Sequence, residues 1–291
     1  MVAPGMLQNP SVRTWLAGVE PAWTLLDQAS FSALHEPPSP VAGPIRLAAD
    51  LAQEEIRQSA VARNALILLR AAATRSGLKM TAASNLARSV VAEMCNLFIW
   101  PDLDQVGAFQ FHKVINEPDF LPLYFVRNVL QAATLLRKQK GHLKISPAGR
   151  RMMEEPNSSP LQALLFHVTM WHLDLGYLSR GLLHGWPQHD AGIVLWSLSV
   201  AATDWEPRER LSRLCTIPII GVLDDQSWDK ASFAMEAQIL RPLVWFGLLE
   251  HREENIDSDH FGRRHLYRKT GLFDRFLSFK VTLENDSGPR H

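Results

Sequence analysis

The sequence predicts a mainly α-helical protein in which two winged-helix-like units, each made of helices and a short β-hairpin, are joined by a helical connector. Apolar residues recur at helical spacing in three successive segments before residue 135, and a glycine-containing hairpin follows them. Three helices followed by a hairpin is the order of elements in a winged helix. The same order returns after residue 190, which indicates an internal duplication.

Length and composition are those of an ordinary globular protein. The 291 residues correspond to two domains or one large one, and 46% apolar with 21% charged residues exclude wholesale disorder. Cys95 and Cys215 are too few for a disulfide framework or a four-cysteine zinc site, so a reducing compartment is expected. The first residues show no secretory signal, and the longest apolar stretch, 191–203, is shorter than the roughly 20 residues that span a bilayer. We therefore expect a cytoplasmic protein without a membrane partner.

Turn residues and composition divide the chain into five predicted segments. Prolines 37, 38 and 40 indicate an extended linker, and Gly185-Trp186-Pro187 ends an aromatic region. The predicted segments are a lead-in segment or linker (1–47), a first winged-helix-like domain (48–155), a helical connector (156–189), a second winged-helix-like domain (190–283) and a flexible tail (284–291).

Boundary signals locate the helices of the predicted domains. Thr81 or Ser84 is expected to cap the second helix, and the third is expected to begin near Asp119 with Pro122 in its first turn. In the second domain, Pro242 predicts a kink in the third helix or a later start. The inward face of the first helix is predicted to consist of Val61, Ala65, Leu68, Leu69 and Ala72.

The net charge of zero hides an uneven distribution. Residues 57–151 hold fourteen Lys and Arg against five acidic residues, a net charge of +9, while residues 1–56 sum to −4 and residues 152–291 to −5. Such a block raises the local potential that a polyanion experiences although the total vanishes. The alternative is that these cations only decorate solvated helix faces.

The predicted third helix and the hairpin hold side chains suited to nucleic acids. Arg, Asn and Gln have forked donors and acceptors that match purine edges, and cations of a hairpin can meet phosphates. The residues predicted to contact nucleic acid are Arg88, Arg127, Asn128, Gln131, Arg137, Lys138, Lys140 and Lys144. Glu117 and Asp119 count against this interpretation, because a phosphate favours a positive helix start.

These residues predict a non-enzymatic nucleic-acid-binding or regulatory protein that binds duplex DNA through the basic first domain. The alternative is a protein–protein interaction scaffold or homodimerisation module of a bacterial mobile-element or defence-type system without direct DNA contact, since a fold alone does not fix function. The second hairpin favours that alternative, because its acidic tip repels phosphates. The acidic residues there are Glu250, Glu253, Glu254, Asp257 and Asp259.

Motifs for catalysis or cofactor binding are missing from the sequence. It has no Walker pattern, no Gly-x-Gly-x-x-Gly run and no Gly-x-Ser-x-Gly elbow. Cys95 lies in an apolar helix pattern typical of a buried thiol, and the Asp224-Asp225 pair is expected to be solvated. His167 and His172 are five residues apart, whereas a spacing of four would place both on one face of a helix, so we expect ordinary histidines of the connector and no metal site. We also expect no cofactor and no catalytic residue. A metal-dependent hydrolase is a remote third interpretation. The cluster of possible ligands comprises His167, His172, Asp174, His184, His189 and Asp190.

Short motifs in both halves of the chain form a recognisable set. They are Gly77-Leu78-Lys79-Met80-Thr81, Asn85-Leu86, Glu117-Pro118-Asp119 and the hairpin at 135–149, then Ile239-Leu240-Arg241-Pro242-Leu243, Phe246-Gly247-Leu248-Leu249 and Thr270-Gly271-Leu272-Phe273. This set resembles the helical, winged-helix region of an uncharacterised bacterial family, the plasmid open-reading-frame-three-like proteins associated with transposon passenger genes. The resemblance implies a fold and a mobile-element context but no activity, and Ser84 and Thr134 stand where the family tends to have glycine.

Overall fold

The computed structural model describes residues 6–39, 43–101, 115–154, 158–183, 185–219, 229–255 and 263–284. The chain forms two compact units. The inserted unit is Ala49–Leu173, and the terminal unit combines Met1–Ala48 with Asp174–His291. His184, the Asp224-Asp225 pair, Asp257, Asp259 and residues 285–291 of the predicted tail lie outside the described residues.

The described part of the chain is mainly α-helical, as predicted, with small antiparallel sheets. The predicted lead-in segment contains α1 (Pro10–Leu16), α2 (Gln28–Ala33) and β1 (Ile45–Leu47). The inserted unit contains α3 (Gln53–Arg57), α4 (Ala60–Ala73), β2 (Leu78–Lys79), α5 (Arg88–Leu97), α6 (Leu121–Ala132), β3 (Leu136–Gln139), β4 (His142–Ile145), α7 (Pro147–Met152) and α8 (Ser158–Trp171). The terminal unit continues with α9 (Ala191–Ala201), β5 (Glu206–Pro207), α10 (Arg208–Cys215), α11 (Lys230–Met235), a π-helical turn (Glu236–Leu240), α12 (Arg241–Trp245), β6 (Leu249–Asn255), β7 (Arg263–Lys269), α13 (Gly271–Phe276) and β8 (Leu277–Phe279). No helix in the described ranges is both long and apolar enough to cross a membrane.

The first long helix of the inserted unit follows its sequence signals. Ser59 caps α4 by accepting a hydrogen bond from the Ala62 amide at 3.1 Å. The five apolar residues predicted to face inward are all buried, which confirms that part of the prediction. Pro122 lies in the first turn of α6, where the missing amide costs no helical hydrogen bond.

The start of α5 differs from the prediction that Thr81 or Ser84 caps it. The helix begins at Arg88, and its N-cap residue Ala87 offers no side-chain cap. The reason lies in a tight turn between β2 and α5: Met80 and Leu86 form an isolated bridge, with Ser84 in the left-handed region at φ 63°. The residues expected to cap the helix are therefore used to reverse the chain.

The hairpin of the inserted unit is a two-residue turn between antiparallel strands. Lys140 and Gly141 have φ values of 49° and 74°, which is the pattern of a type I′ turn. The strand order is β2-β4-β3, with β4 in the middle. The hairpin predicted around Gly141 is thus present.

The terminal unit repeats the order of elements. From α9 onward it runs helix, strand, helix, helix, strand, strand, when α11, the π-helical turn and α12 are counted as one continuous helical segment (230–245). Its sheet has the order β5-β7-β6, which corresponds to β2-β4-β3 of the inserted unit. The predicted irregularity at Pro242 is present as the π-helical turn directly before α12, which leaves Pro242 in the first turn of that helix. A separate two-stranded sheet pairs β1 with β8, so segments from both sides of the inserted unit join in the terminal unit.

Candidate nucleic-acid interface

One face of the hairpin sheet in the inserted unit is cationic. Arg137 lies directly opposite Lys144, and in the neighbouring row Gln139, His142 and Lys79 lie side by side across three strands. Because opposed residues and residues two apart on a strand share a face, these five side chains project from the same side of the sheet. We call this set the hairpin face.

Acidic side chains are absent from the part of the sequence that builds most of this face. From residue 120 to residue 153 the chain holds seven Lys and Arg and no Asp or Glu. Arg137 is exposed, and the Lys144 side chain is half-buried. Their charges therefore have no local carboxylate within that segment to neutralise them.

Lys138 and Lys140 extend the positive charge beyond the hairpin face. Lys138 lies on the other side of β3, in register with buried Leu143, and its side chain is exposed. Lys140 occupies the first central position of the turn and is also exposed. The predicted phosphate-contacting residues of the hairpin are thus brought together on one β-hairpin, on both of its sides.

Arg127 is placed differently from the prediction that it reads base edges. It is buried, with 5% of its surface exposed, and forms an ion pair with the fully buried Glu117. Its guanidinium also donates to Gln131 Oε1 at 2.9 Å and lies 5.4 Å from the centre of the Tyr124 ring. An interior guanidinium cannot meet a base edge, so Arg127 is corrected from a contact residue to an interior ion-pair partner.

Glu117 lies in a 3₁₀ turn before α6. Its Oε2 accepts the Leu86 amide at 2.5 Å. Burial raises the pKa of this carboxyl above its ordinary value, although the Leu86 amide and Arg127 act in the opposite direction. Because Arg127 compensates Glu117 inside the unit, the expected repulsion between Glu117 and a phosphate is weakened.

The remaining predicted contact residues lie on two helices. Asn128 and Gln131 are half-buried on α6, and Gln131 is engaged by Arg127 through its oxygen. Arg88 is exposed at the first position of α5, and its Nε donates to Asn116 Oδ1 at 3.1 Å. The Ala87 amide donates to the Lys79 carbonyl at 2.9 Å, which holds the start of α5 beside β2 and the hairpin face.

Several histidines lie close enough together to bind the same metal ion. His167 on α8 and His172 just beyond it have their Nε2 atoms 2.9 Å apart, and burial lowers the pKa of His167, with the charge of His172 acting in the same direction. Within the described ranges, a second group combines His251, Glu253 and His265 on the hairpin of the terminal unit. Sequence reasoning missed this second group, because Glu253 and His265 become neighbours only through strand register.

The two cysteines are buried, in positions typical of unreactive thiols. Cys95 is buried on α5, as predicted, and burial raises its pKa. Cys215 is fully buried at the end of α10, and burial raises its pKa strongly. Protonated, inaccessible thiols are poor nucleophiles.

Comparison with known proteins gives matches to part of the chain. A family model described as the Y4jL N-terminal domain matches residues 57–158. The uncharacterized protein y4jL of Sinorhizobium fredii (strain NBRC 101917 / NGR234) is 32% identical over 87 residues, which are 30% of this chain and 40% of that relative. No solved structure matches the chain. Membership of the plasmid open-reading-frame-three-like family and the transposon association, which the sequence resemblance implies, stay predictions. Residues 57–158 are therefore similar to a domain of an uncharacterised bacterial family, and that similarity falls inside the inserted unit.

Proposed function

We propose that the protein is a cytoplasmic, non-enzymatic nucleic-acid-binding protein of a bacterial mobile-element context, and that it binds duplex DNA through its inserted unit. We further propose that both units are winged helices. The repeated order helix, strand, helix, helix, strand, strand, with the third strand in the middle of each sheet, supports this interpretation of the fold. The cationic hairpin face, built from an acid-free segment, is the observation on which the functional proposal rests.

In this proposal the two parts of the inserted unit have different tasks. The α6 helix enters the major groove, where Asn128 can donate to and accept from one base edge. The hairpin lies along the backbone, where Arg137, Lys138, Lys140 and Lys144 meet phosphates. Arg127 acts from within the unit by fixing α6 against the turn that holds Glu117.

A salt titration tests the proposal. Fluorescence anisotropy of a labelled duplex is measured with the full chain between 50 and 200 mM NaCl, and affinity is plotted against salt on logarithmic axes. The double variant Arg137→Ala/Lys144→Ala should lower the slope by about 2, because each phosphate contact contributes about 0.9. The matched control is Arg57→Ala/Arg75→Ala, which removes two charges of the same unit that pair with Glu54 and Glu93. The control should bind like the wild type.

Two outcomes would contradict the proposal. One is a wild-type affinity that does not change with salt, since phosphate contacts release counterions. The other is an equal loss in both double variants, which would reflect total charge and not the hairpin face. A stable homodimer in light scattering together with no DNA binding would instead support the alternative function, an interaction or dimerisation module.

A further inference from the structure

Three possible metal ligands share one face of the hairpin in the terminal unit. His251 and Glu253 are two residues apart on β6, so their side chains project to the same side. Glu253 lies directly opposite His265 on β7, and His251 lies opposite Tyr267. Strand register alone therefore brings two imidazoles and a carboxylate together, independently of any DNA-binding function.

The distances among these groups approach those of a metal centre. His251 Nε2 and His265 Nδ1 are 3.0 Å apart, and Glu253 Oε1 is 3.9 Å from His265 Nδ1. One ligand atom of each residue lies within 4.8 Å of the others. Two zinc–nitrogen bonds at a tetrahedral angle hold their nitrogens about 3.3 Å apart, so small side-chain shifts would complete the coordination.

The two carboxylate oxygens of Glu253 contact different residues. Its Oε2 accepts from Arg263 at 2.8 Å, while its Oε1 faces His265. The two imidazole rings stack at an interplanar angle of 9° with centroids 5.3 Å apart, and His251 also stacks on Tyr267 at 4.8 Å. Stacking limits ring rotation, which lowers the entropy lost when a metal binds.

A second carboxylate lies behind this cluster. Glu236, from the π-helical turn, has Oε1 3.6 Å from His265 Nδ1, and that same oxygen accepts the Tyr267 hydroxyl at 2.8 Å. Arg208 donates to its other oxygen at 2.5 Å. Burial acts to raise the pKa of Glu236, but the hydrogen bonds from Tyr267 and Arg208 outweigh it and hold the pKa below its ordinary value. These two hydrogen bonds hold the Glu236 carboxylate beside His265, where it can orient the imidazole or take a fourth ligand position.

We propose that His251, Glu253 and His265 bind one divalent transition-metal ion of the zinc type, with Glu236 as the supporting or fourth ligand. Two imidazoles and one or two carboxylates form a donor set that zinc accepts in proteins. The bound ion fastens the β6–β7 hairpin, and Glu236 links it to the helical segment that holds the π turn. The alternative for the same geometry is a hydrogen bond between one neutral imidazole donor and its neighbour.

Titration of the chelator-treated full chain tests the site. Zinc chloride is titrated calorimetrically, and cobalt(II) is added separately to follow its visible absorption. We expect one equivalent to bind, a tetrahedral cobalt spectrum, and a zinc-dependent rise in melting temperature. Glu253→Gln, on an exposed part of β6, should weaken zinc binding at least tenfold, and His251→Gln and His265→Gln should do the same. His265→Gln in particular should abolish the cobalt spectrum.

The matched control is the double variant His167→Gln/His172→Gln, which removes the other closely spaced histidine pair. It should keep both the one-to-one binding and the cobalt spectrum. Zinc binding that survives in His265→Gln and Glu253→Gln, or that disappears only in the control, would assign the metal to other histidines. No binding at micromolar zinc would leave the imidazole hydrogen bond as the explanation of the geometry. If the histidine variants fail to fold, as circular dichroism would show, Glu253→Gln decides between these outcomes.

Discussion

Glu117 and Arg127 form an ion pair in the interior of the inserted unit, ten residues apart in sequence and both nearly inaccessible to solvent. Removing one partner leaves a buried charge uncompensated. We expect Arg127→Ala to lower the free energy of unfolding by about 3–5 kcal/mol, measured by urea denaturation. The double variant Glu117→Leu/Arg127→Met should recover much of that loss, because it removes both charges. Unchanged stability with altered DNA sequence preference would restore Arg127 as a contact residue.

Phosphate contacts and base contacts should respond differently to substitution. Replacing Lys138 and Lys140 with alanine should weaken binding about equally for every duplex, because phosphates are the same in all sequences. Asn128→Ala should instead reduce discrimination at one base pair by about 1–3 kcal/mol. Anisotropy with a panel of single-base variants of a selected duplex measures both effects. A uniform loss for Asn128→Ala would contradict the placement of α6 in the groove.

The turn residue Lys140 combines backbone strain with a predicted phosphate contact. Its φ of 49° costs a residue with a Cβ about 1 kcal/mol, which glycine does not pay. Lys140→Gly should therefore raise the free energy of unfolding by about 0.5–1 kcal/mol while weakening DNA binding. Thermal denaturation and anisotropy on the same preparation measure the two quantities. A variant that gains stability and keeps full affinity would show that Lys140 does not contact the phosphates.

Gly149 lets α7 approach the hairpin closely. A Cβ at this position would lie 2.5 Å from the Leu135 carbonyl oxygen and 2.8 Å from an Ile145 side-chain carbon. Gly149→Ala should lower the free energy of unfolding by about 1–3 kcal/mol through overpacking. Gly271→Ala is the control, because a Cβ there meets no atom within 4 Å. Equal urea midpoints for the two variants would show that α7 can move away without cost.

The lowered pKa of Glu236 gives the terminal unit a defined acid response. Between the folded-state pKa of Glu236 and the ordinary glutamate pKa of about 4.5, this carboxyl is more protonated in the unfolded chain than in the folded one. The contribution of Glu236 to stability is therefore present above pH 4.5 and is lost as the pH falls through the folded-state pKa. The difference in unfolding free energy between wild type and Glu236→Gln should shrink from pH 6 to pH 3, measured by urea denaturation with a chelator present. A difference that grows on acidification would contradict the direction of the shift.

Elements with local signals were predictable from the sequence, and contacts that depend on register were not. Pro122 marks the first turn of α6 and Gly141 marks the hairpin turn, and both signals depend only on the few residues around them. The helix start and the turn can therefore be predicted from the sequence. Residue-type preference predicts an exposed Arg127, because arginine is rarely buried, whereas the structure buries it against Glu117. A signal was available: Arg127 follows Leu123 by four residues and precedes Leu130 by three, which is the spacing of the buried stripe.

The start of α5 and the His251–Glu253–His265 cluster needed information from elsewhere in the chain. Thr81 and Ser84 are good capping residues, but the bridge between Met80 and Leu86 uses that segment for a turn. Glu253 and His265 are twelve residues apart, and a shift of one position in the strand pairing would separate them. Register of that kind is set by the whole hairpin and not by either residue.

The pairing of β1 with β8 has a consequence for biosynthesis. Strand β1 is translated before the inserted unit and β8 after it, so the whole inserted unit is made between the two strands of this sheet. A growing chain can therefore complete the 49–173 segment first, whereas β1 of the terminal unit cannot pair until residues 277–279 have been made. Truncation before residue 277 would accordingly deprive Ile45–Leu47 of its partner while leaving the cationic hairpin fully encoded.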